Sequence, residues 1–157
     1  MSPDSRGRML LSALVALILT VLPLPPSLEV VRPGFLVLTV LYWSINAPRT
    51  AGIALGFFAG LALDVFQGPV LGQHALALAL VSYLVMREHQ RIRSKPAFQQ
   101  AFMVFAALVI YEFVVFAIDG WTGHSLGSQR RWIHAATGAL IWPLAAPILA
   151  YSAGRLT

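Results

Sequence analysis

Apolar residues along the chain gather in long runs that are separated by short polar connectors. We predict six apolar helical segments, at residues 9–22, 30–45, 50–66, 70–87, 97–118 and 132–151. A helix needs about 20 residues to cross a bilayer of ordinary thickness, so the first three segments are short for a full crossing. Local thinning of the bilayer, burial inside the bundle, or boundaries one turn wider would each accommodate them. The pattern predicts an all-α integral membrane protein, a bundle of about six transmembrane helices in a single domain over residues 1–157.

Composition supports this class of protein. The chain is 58% hydrophobic and 11% charged, with a mean hydropathy of +0.75, which lies outside the range of soluble domains. The first segment has features of a signal peptide, but a proline-rich stretch follows it and no A-x-A-like cleavage site does. We therefore expect a retained first span. The chain has no cysteine, which excludes disulfides, Fe–S clusters and thiolate zinc sites.

The net charge of +5 lies mostly in the connectors, where Lys and Arg bias topology, and we do not expect nucleic-acid binding. A cytoplasmic N-terminus places eight basic residues inside: Arg6, Arg8, Arg49, Arg87, Arg91, Arg93, Lys95 and Arg155. It places three outside: Arg32, Arg130 and Arg131. Both termini are therefore predicted to be cytoplasmic. The basic inner connector, Arg87, Arg91, Arg93 and Lys95, would also attract anionic lipid, although positive-inside topology alone accounts for it.

Several aromatic residues near the ends of the segments are predicted to lie at the membrane surface. Tyr42 and Trp43 precede an inner turn, and Trp121 and Trp132 flank a glycine-rich outer connector, so we interpret these four as interfacial anchors. That outer connector is the best candidate for an extracytoplasmic contact surface. In the first outer connector, Glu29 and Arg32 are expected to be a solvated pair.

A stripe of small residues runs along the third segment. Gly52, Gly56 and Gly60 recur every four residues, so they share one face of a helix and allow another backbone to approach closely. We expect this face to pack within the protein, with a partner helix or a second copy of the chain as the alternative. Homo-oligomerisation therefore stays open.

Asp64 continues the same stripe at its outer end. A carboxylate at that depth is either solvated among lipid headgroups or hydrogen-bonded to the first N–H groups of the next helix, from Val70 to Gln73. We favour the second arrangement, in which Asp64 caps that helix and defines the fold.

Glu112 lies in an otherwise apolar helix, roughly 10 Å inside the membrane at 1.5 Å per residue. A buried charged carboxylate is costly unless it is protonated, paired or facing a polar cavity. His134 is the first candidate partner, with His74 and Tyr111 as others. A structural hydrogen bond is the favoured interpretation, and a proton relay or ligand site is the alternative.

The sequence shows no strong motif for a metal site or a catalytic centre. We see no His-x-x-x-His and no Glu-x-x-His, so we predict no metal, no cofactor and no catalytic residue.

The stretch from Pro33 to Gly72 resembles a known family. Its residues Pro33, Phe35, Leu38, Leu41, Tyr42, Trp43, Pro48, Gly52, the run from Gly56 to Leu61, Asp64, Gly68, Leu71 and Gly72 are similar to the signature of the bacterial rod shape-determining MreD family. Chain length, predicted topology and basic inner connectors are also similar to that family.

The resemblance implies a non-enzymatic scaffold of the cell-elongation machinery in the bacterial inner membrane. It implies binding to MreC, a single-span protein with a periplasmic domain, and through it a relation to the filament protein MreB and the peptidoglycan synthases. It also implies an architecture similar to the substrate-binding subunits of energy-coupling-factor transporters, with an outward-opening cavity lined by Asp64, Glu112 and His134. The alternative function is therefore the substrate-binding subunit of a vitamin-type importer.

Overall fold

The computed structural model describes residues 3–67, 70–124 and 130–154. Gly68, the centre of the last outer connector (residues 125–129) and Arg155, on which parts of the predictions fall, lie outside the described residues. Within those ranges the helices are α1 (Pro3–Val21), α2 (Pro26–Glu29), α3 (Phe35–Asn46), α4 (Gly52–Gln67), α5 (Gln73–Arg87), α6 (His89–Arg93), α7 (Ala97–Thr122) and α8 (Arg130–Ser152). The described residues contain no strand, which confirms the all-α prediction. Each predicted apolar segment holds one of the longer helices, and the short helices α2 and α6 lie in connectors.

Helix α3 is the centre of the bundle. Every residue from Leu36 to Ile45 is buried, and the helix packs against α1, α4, α5, α6 and α8. A helix that is apolar all round can be buried on all sides, which explains why α3 shows no polar face. The hydroxyls of Thr39 and Ser44 donate to carbonyls one turn earlier, so these polar groups are satisfied inside the helix.

The remaining helices pair around α3. Helix α4 packs most extensively on α5, α7 packs on α8, and α1 packs on α3. Antiparallel neighbours joined by short connectors account for the first two pairs. Pro143 and Pro147 both lie inside α8, which continues through them.

The distribution of polarity is that of a membrane protein. Large apolar side chains face outward, with Phe98 85% and Leu140 80% exposed, whereas Asp64 and Asp119 are only 2% and 5% exposed. Water would favour the opposite arrangement, and hydrocarbon favours this one.

By length and composition, α7 and α8 can each cross a membrane, while α3 and α4 are shorter apolar helices. The count of six crossings and the cytoplasmic placement of the termini therefore stay predictions.

Two of the aromatic residues lie elsewhere than expected. Tyr42 and Trp43 are 3% and 2% exposed, and the Trp43 indole Nε1 donates to the Ser12 hydroxyl at 2.9 Å. The interpretation of these two rings as interfacial anchors is therefore wrong, because α3 is enclosed by its neighbours and has no face toward the membrane surface. Trp121 is 93% exposed and Trp132 is partly exposed, so those positions remain accessible to headgroups.

Candidate functional site

The glycine stripe of α4 lies against α5. A Cβ on Gly56 would lie 2.8 Å from the Leu78 carbonyl oxygen, and a Cβ on Gly60 would lie 2.5 Å from the Ala75 Cα atom. Both distances are well inside van der Waals contact, so the two backbones meet because these glycines have no side chains. Gly52 starts α4 with φ +54°, a conformation that glycine adopts without strain. The stripe is thus occupied within the chain.

Asp64 ties the end of α4 to the start of α5. Its Oδ2 accepts hydrogen bonds from the backbone N–H groups of Gly72 at 2.9 Å and Ala75 at 3.2 Å. Its Oδ1 accepts from the His74 backbone N–H at 2.9 Å and lies 2.7 Å from His74 Nδ1. Gly72 precedes the helix with φ +95°, which turns the N–H groups toward the carboxylate. The buried carboxylate therefore satisfies N–H groups that have no partner within α5.

A second polar cluster joins α5, α7 and α8. Arg131 Nη2 donates to Asp119 Oδ2 at 2.6 Å, and Gln73 Nε2 donates to Asp119 Oδ1 at 2.5 Å and to the Val115 carbonyl at 3.2 Å. Arg131 Nε also lies 3.9 Å from Glu112 Oε2. The cluster places one cation between two carboxylates at the end of the α7–α8 pair.

The charged neighbour of Glu112 is thus Arg131, and not one of the residues proposed from the sequence. The sequence places Arg131 in the last outer connector, whereas in the structure α8 begins at Arg130 and carries Arg131 into the bundle. The signal that could have found it is the opposite charge of Asp119 and Arg131 across a single helix-to-helix connector. Nothing in the sequence indicates that Gln73 donates a hydrogen bond to Asp119 in this cluster.

His134 and Arg32 form a separate contact. His134 Nδ1 donates to the Arg32 backbone carbonyl at 2.5 Å, and Arg32 Nη2 donates to the Leu19 carbonyl. Arg32 is 9% exposed, so the expectation of a solvated Glu29–Arg32 pair is wrong for the arginine.

A cavity of 230 Å³, the central cavity, opens among these residues. All six longer helices line it, and its polar lining includes Glu29, Arg32, His74, Tyr111, Glu112 and His134. It lies at the end of the bundle where α4 ends and α5 and α8 begin, which is the outer end in the predicted topology. Of the three residues expected to line an outward cavity, Glu112 and His134 do so. Asp64 is not among the lining residues, and its Oδ1 lies 2.7 Å from Nδ1 of His74, which is one of them.

The basic connector at the opposite end forms the short helix α6. Arg91 and Glu88 make an exposed ion pair at 3.3 Å, while Ile92 is buried and fixes the connector to the bundle. Exposed pairs of this kind contribute little to stability. Arg87, Arg93 and Lys95 stay near the end of the bundle where a positive-inside charge is expected.

Metal-ligating side chains do not gather in the part of the chain that the structure describes: no group of three or more His, Asp or Glu residues could hold an ion.

Comparison with known proteins gives the family. Residues 5–152 match the family of the rod shape-determining protein MreD. This chain belongs to the MreD family. A similar protein, the rod shape-determining protein MreD of Haemophilus influenzae, is 26% identical over 129 residues, which cover 82% of this chain and 80% of the relative. No solved structure matches.

Membership of the MreD family agrees with the apolar exterior of the bundle. The resemblance drawn from the stretch between Pro33 and Gly72 is confirmed, and the match extends it over nearly the whole chain. This MreD-family chain is thus a membrane-associated protein of a shape-determining family.

Proposed function

We propose that this MreD-family chain is a non-enzymatic scaffold of the bacterial cell-elongation machinery in the inner membrane. Its proposed partner is an MreC-like single-span protein, and through that partner it relates to an MreB-like filament and to peptidoglycan synthases. The observation that carries the proposal is the family match over residues 5–152. In the proposed arrangement six helices cross the membrane and both termini are cytoplasmic.

The packing of the bundle supports a scaffold. The glycine stripe of α4 packs against α5, so the close backbone contact at Gly56 and Gly60 stabilises the fold. The exposed apolar faces of α7 and α8 stay available for lipid or for the helix of a partner. In a membrane, such association depends on shape and van der Waals packing because lipid is as apolar as the helix surface.

Purification from native membranes tests the function. A tagged chain should retain a single-span protein with a periplasmic domain, and cells that lack the chain should lose rod shape and regain it on complementation. The alternative, an importer subunit, predicts retention of an ATPase component and a vitamin-like molecule. Recovery of those components, without a protein of wall synthesis, would contradict the scaffold.

A further inference from the structure

The central cavity contains a buried arginine whose hydrogen-bonding capacity is incompletely used. Arg32 is 9% exposed, its Nη2 donates to the Leu19 carbonyl, and its Nε has no acceptor among the described residues. The His134 ring holds the backbone of the same residue at 2.5 Å. Because side chain and backbone are both fixed, the guanidinium is preorganised to donate to a ligand.

Glu112 supplies an acceptor in the same cavity. Its nearest cation is Arg131, at 3.9 Å from Nε to Oε2, a distance too long for a hydrogen bond. Arg131 itself is engaged more closely by Asp119, at 2.6 Å. Glu112 makes no hydrogen bond with the described residues, so its carboxylate can accept one from a ligand.

Charge and size restrict what can enter. Asp119 matches the charge of Arg131, which leaves Arg32 and Glu112 as opposite charges on the cavity wall, together with the exposed carboxylate of Glu29. A ligand that carries both a positive and a negative charge fits this cavity wall better than a simple anion or cation does. The volume of 230 Å³ corresponds to about eight water molecules at roughly 30 Å³ each, which is the size of a headgroup and not of a whole lipid.

We propose that the central cavity binds a small zwitterionic group. A phosphate or carboxylate oxygen of the ligand accepts from Arg32, and an ammonium N–H donates to Glu112. The same chemistry occurs in a free phosphorylated amine and in the headgroup of an aminophospholipid. The site does not depend on the proposed scaffold function, since it uses no partner protein.

The first experiment uses the purified full chain in detergent after lipid removal. Phosphoethanolamine should bind saturably, and phosphocholine should bind about tenfold more weakly because its quaternary ammonium has no N–H to donate to Glu112.

Native mass spectrometry of the chain in lipid nanodiscs then distinguishes a lipid headgroup from a free phosphorylated amine as the ligand. Retention of phosphatidylethanolamine over phosphatidylcholine, with displacement by phosphoethanolamine, assigns the site to a lipid headgroup, whereas binding of the soluble probe alone assigns it to a free ligand.

Substitutions locate the site. Arg32→Lys and Arg32→Gln should each weaken phosphoethanolamine binding by about tenfold or more. Glu112→Gln keeps an oxygen acceptor but loses the charge, so it should reduce the preference over phosphocholine. Arg91→Gln, an exposed arginine beyond the other end of α5, is the matched control and should bind as the wild type does. If Arg32→Gln fails to fold, the binding measured for Arg32→Lys and Glu112→Gln tests the proposed site. The proposal is overturned if the wild type binds neither probe nor lipid saturably, or if folded Arg32→Lys and Glu112→Gln proteins bind like the wild type.

Discussion

Asp64 has more backbone partners than any other side chain described in this bundle. Asp64→Leu would leave the N–H groups of Gly72, His74 and Ala75 without their acceptor, at about 1–3 kcal/mol for each group that stays buried. Asp64→Asn keeps one carbonyl oxygen and should cost less. We expect both variants to lower the thermal unfolding midpoint in detergent, with the leucine variant the lower, as measured by circular dichroism.

The control for Asp64 is Glu88→Leu, which removes an exposed carboxylate at the other end of α5. Its surface pair with Arg91 contributes about 1 kcal/mol or less, so its midpoint should stay close to that of the wild type. An Asp64→Leu protein as stable as Glu88→Leu would show that the carboxylate does not define the fold.

Arg131 is the second residue whose role depends on burial. Arg131→Gln leaves Asp119 and Glu112 without their cation, and removal of one member of a buried pair costs about 3–5 kcal/mol. The neighbouring substitution Arg130→Gln changes an exposed side chain and should cost much less. Thermal unfolding of the two single variants in the same detergent makes the comparison.

A second substitution tests whether that cost comes from charge. Adding Asp119→Asn to Arg131→Gln removes one of the uncompensated carboxylates, so the double variant should be more stable than the sum of the two single effects. Simple additivity would argue against coupling between Arg131 and Asp119.

At the scale of the element, the α4–α5 pair depends on the absence of Cβ atoms. Gly60→Ala places a Cβ about 2.5 Å from the Ala75 Cα, and Gly56→Ala places one 2.8 Å from the Leu78 carbonyl oxygen, so the helices must separate. Overpacking of this kind typically costs about 1–3 kcal/mol. Both variants should unfold at lower temperature than the wild type in detergent.

Gly7 in α1 is the matched control for the stripe. A Cβ at Gly7 meets nothing within 4 Å, so Gly7→Ala should be neutral or slightly stabilising, by about 0.5–1 kcal/mol from helix propensity. If all three alanine variants behaved alike, close contact between α4 and α5 would not be what the glycines provide.

At the scale of the whole molecule, the six-crossing topology makes a labelling prediction. The chain contains no cysteine, so single cysteines can be introduced without removing others. An impermeant maleimide applied to intact spheroplasts should label cysteines at the outer connectors: Glu29→Cys, Leu71→Cys and Thr122→Cys. It should label Arg49→Cys and Ser94→Cys only after lysis. If only α7 and α8 crossed, Glu29, Arg49 and Leu71 would all be labelled under the same condition.

Features that depend on local pattern follow from the amino-acid sequence alone. Long apolar runs between proline-rich or charged connectors predict helices in a bilayer, because each helix satisfies its own backbone and needs only an apolar surface. Four-residue spacing places Gly52, Gly56 and Gly60 on one face for the same local reason. The family resemblance also came from ordered local motifs, and the comparison confirms it.

Which side chains contact each other depends on how the helices pack. The sequence placed Tyr42 and Trp43 near a helix end, but only the enclosure of α3 by five helices shows that they are buried. The sequence predicts that Glu112 needs a polar neighbour, whereas the choice of Arg131 over His134 depends on where α8 begins and how it packs against α7. His134 contacts a residue 102 positions away, and local periodicity has no information about a pairing of that range. The reason is that a helix specifies its own hydrogen bonds within four residues, whereas its neighbours are chosen by packing over the whole bundle.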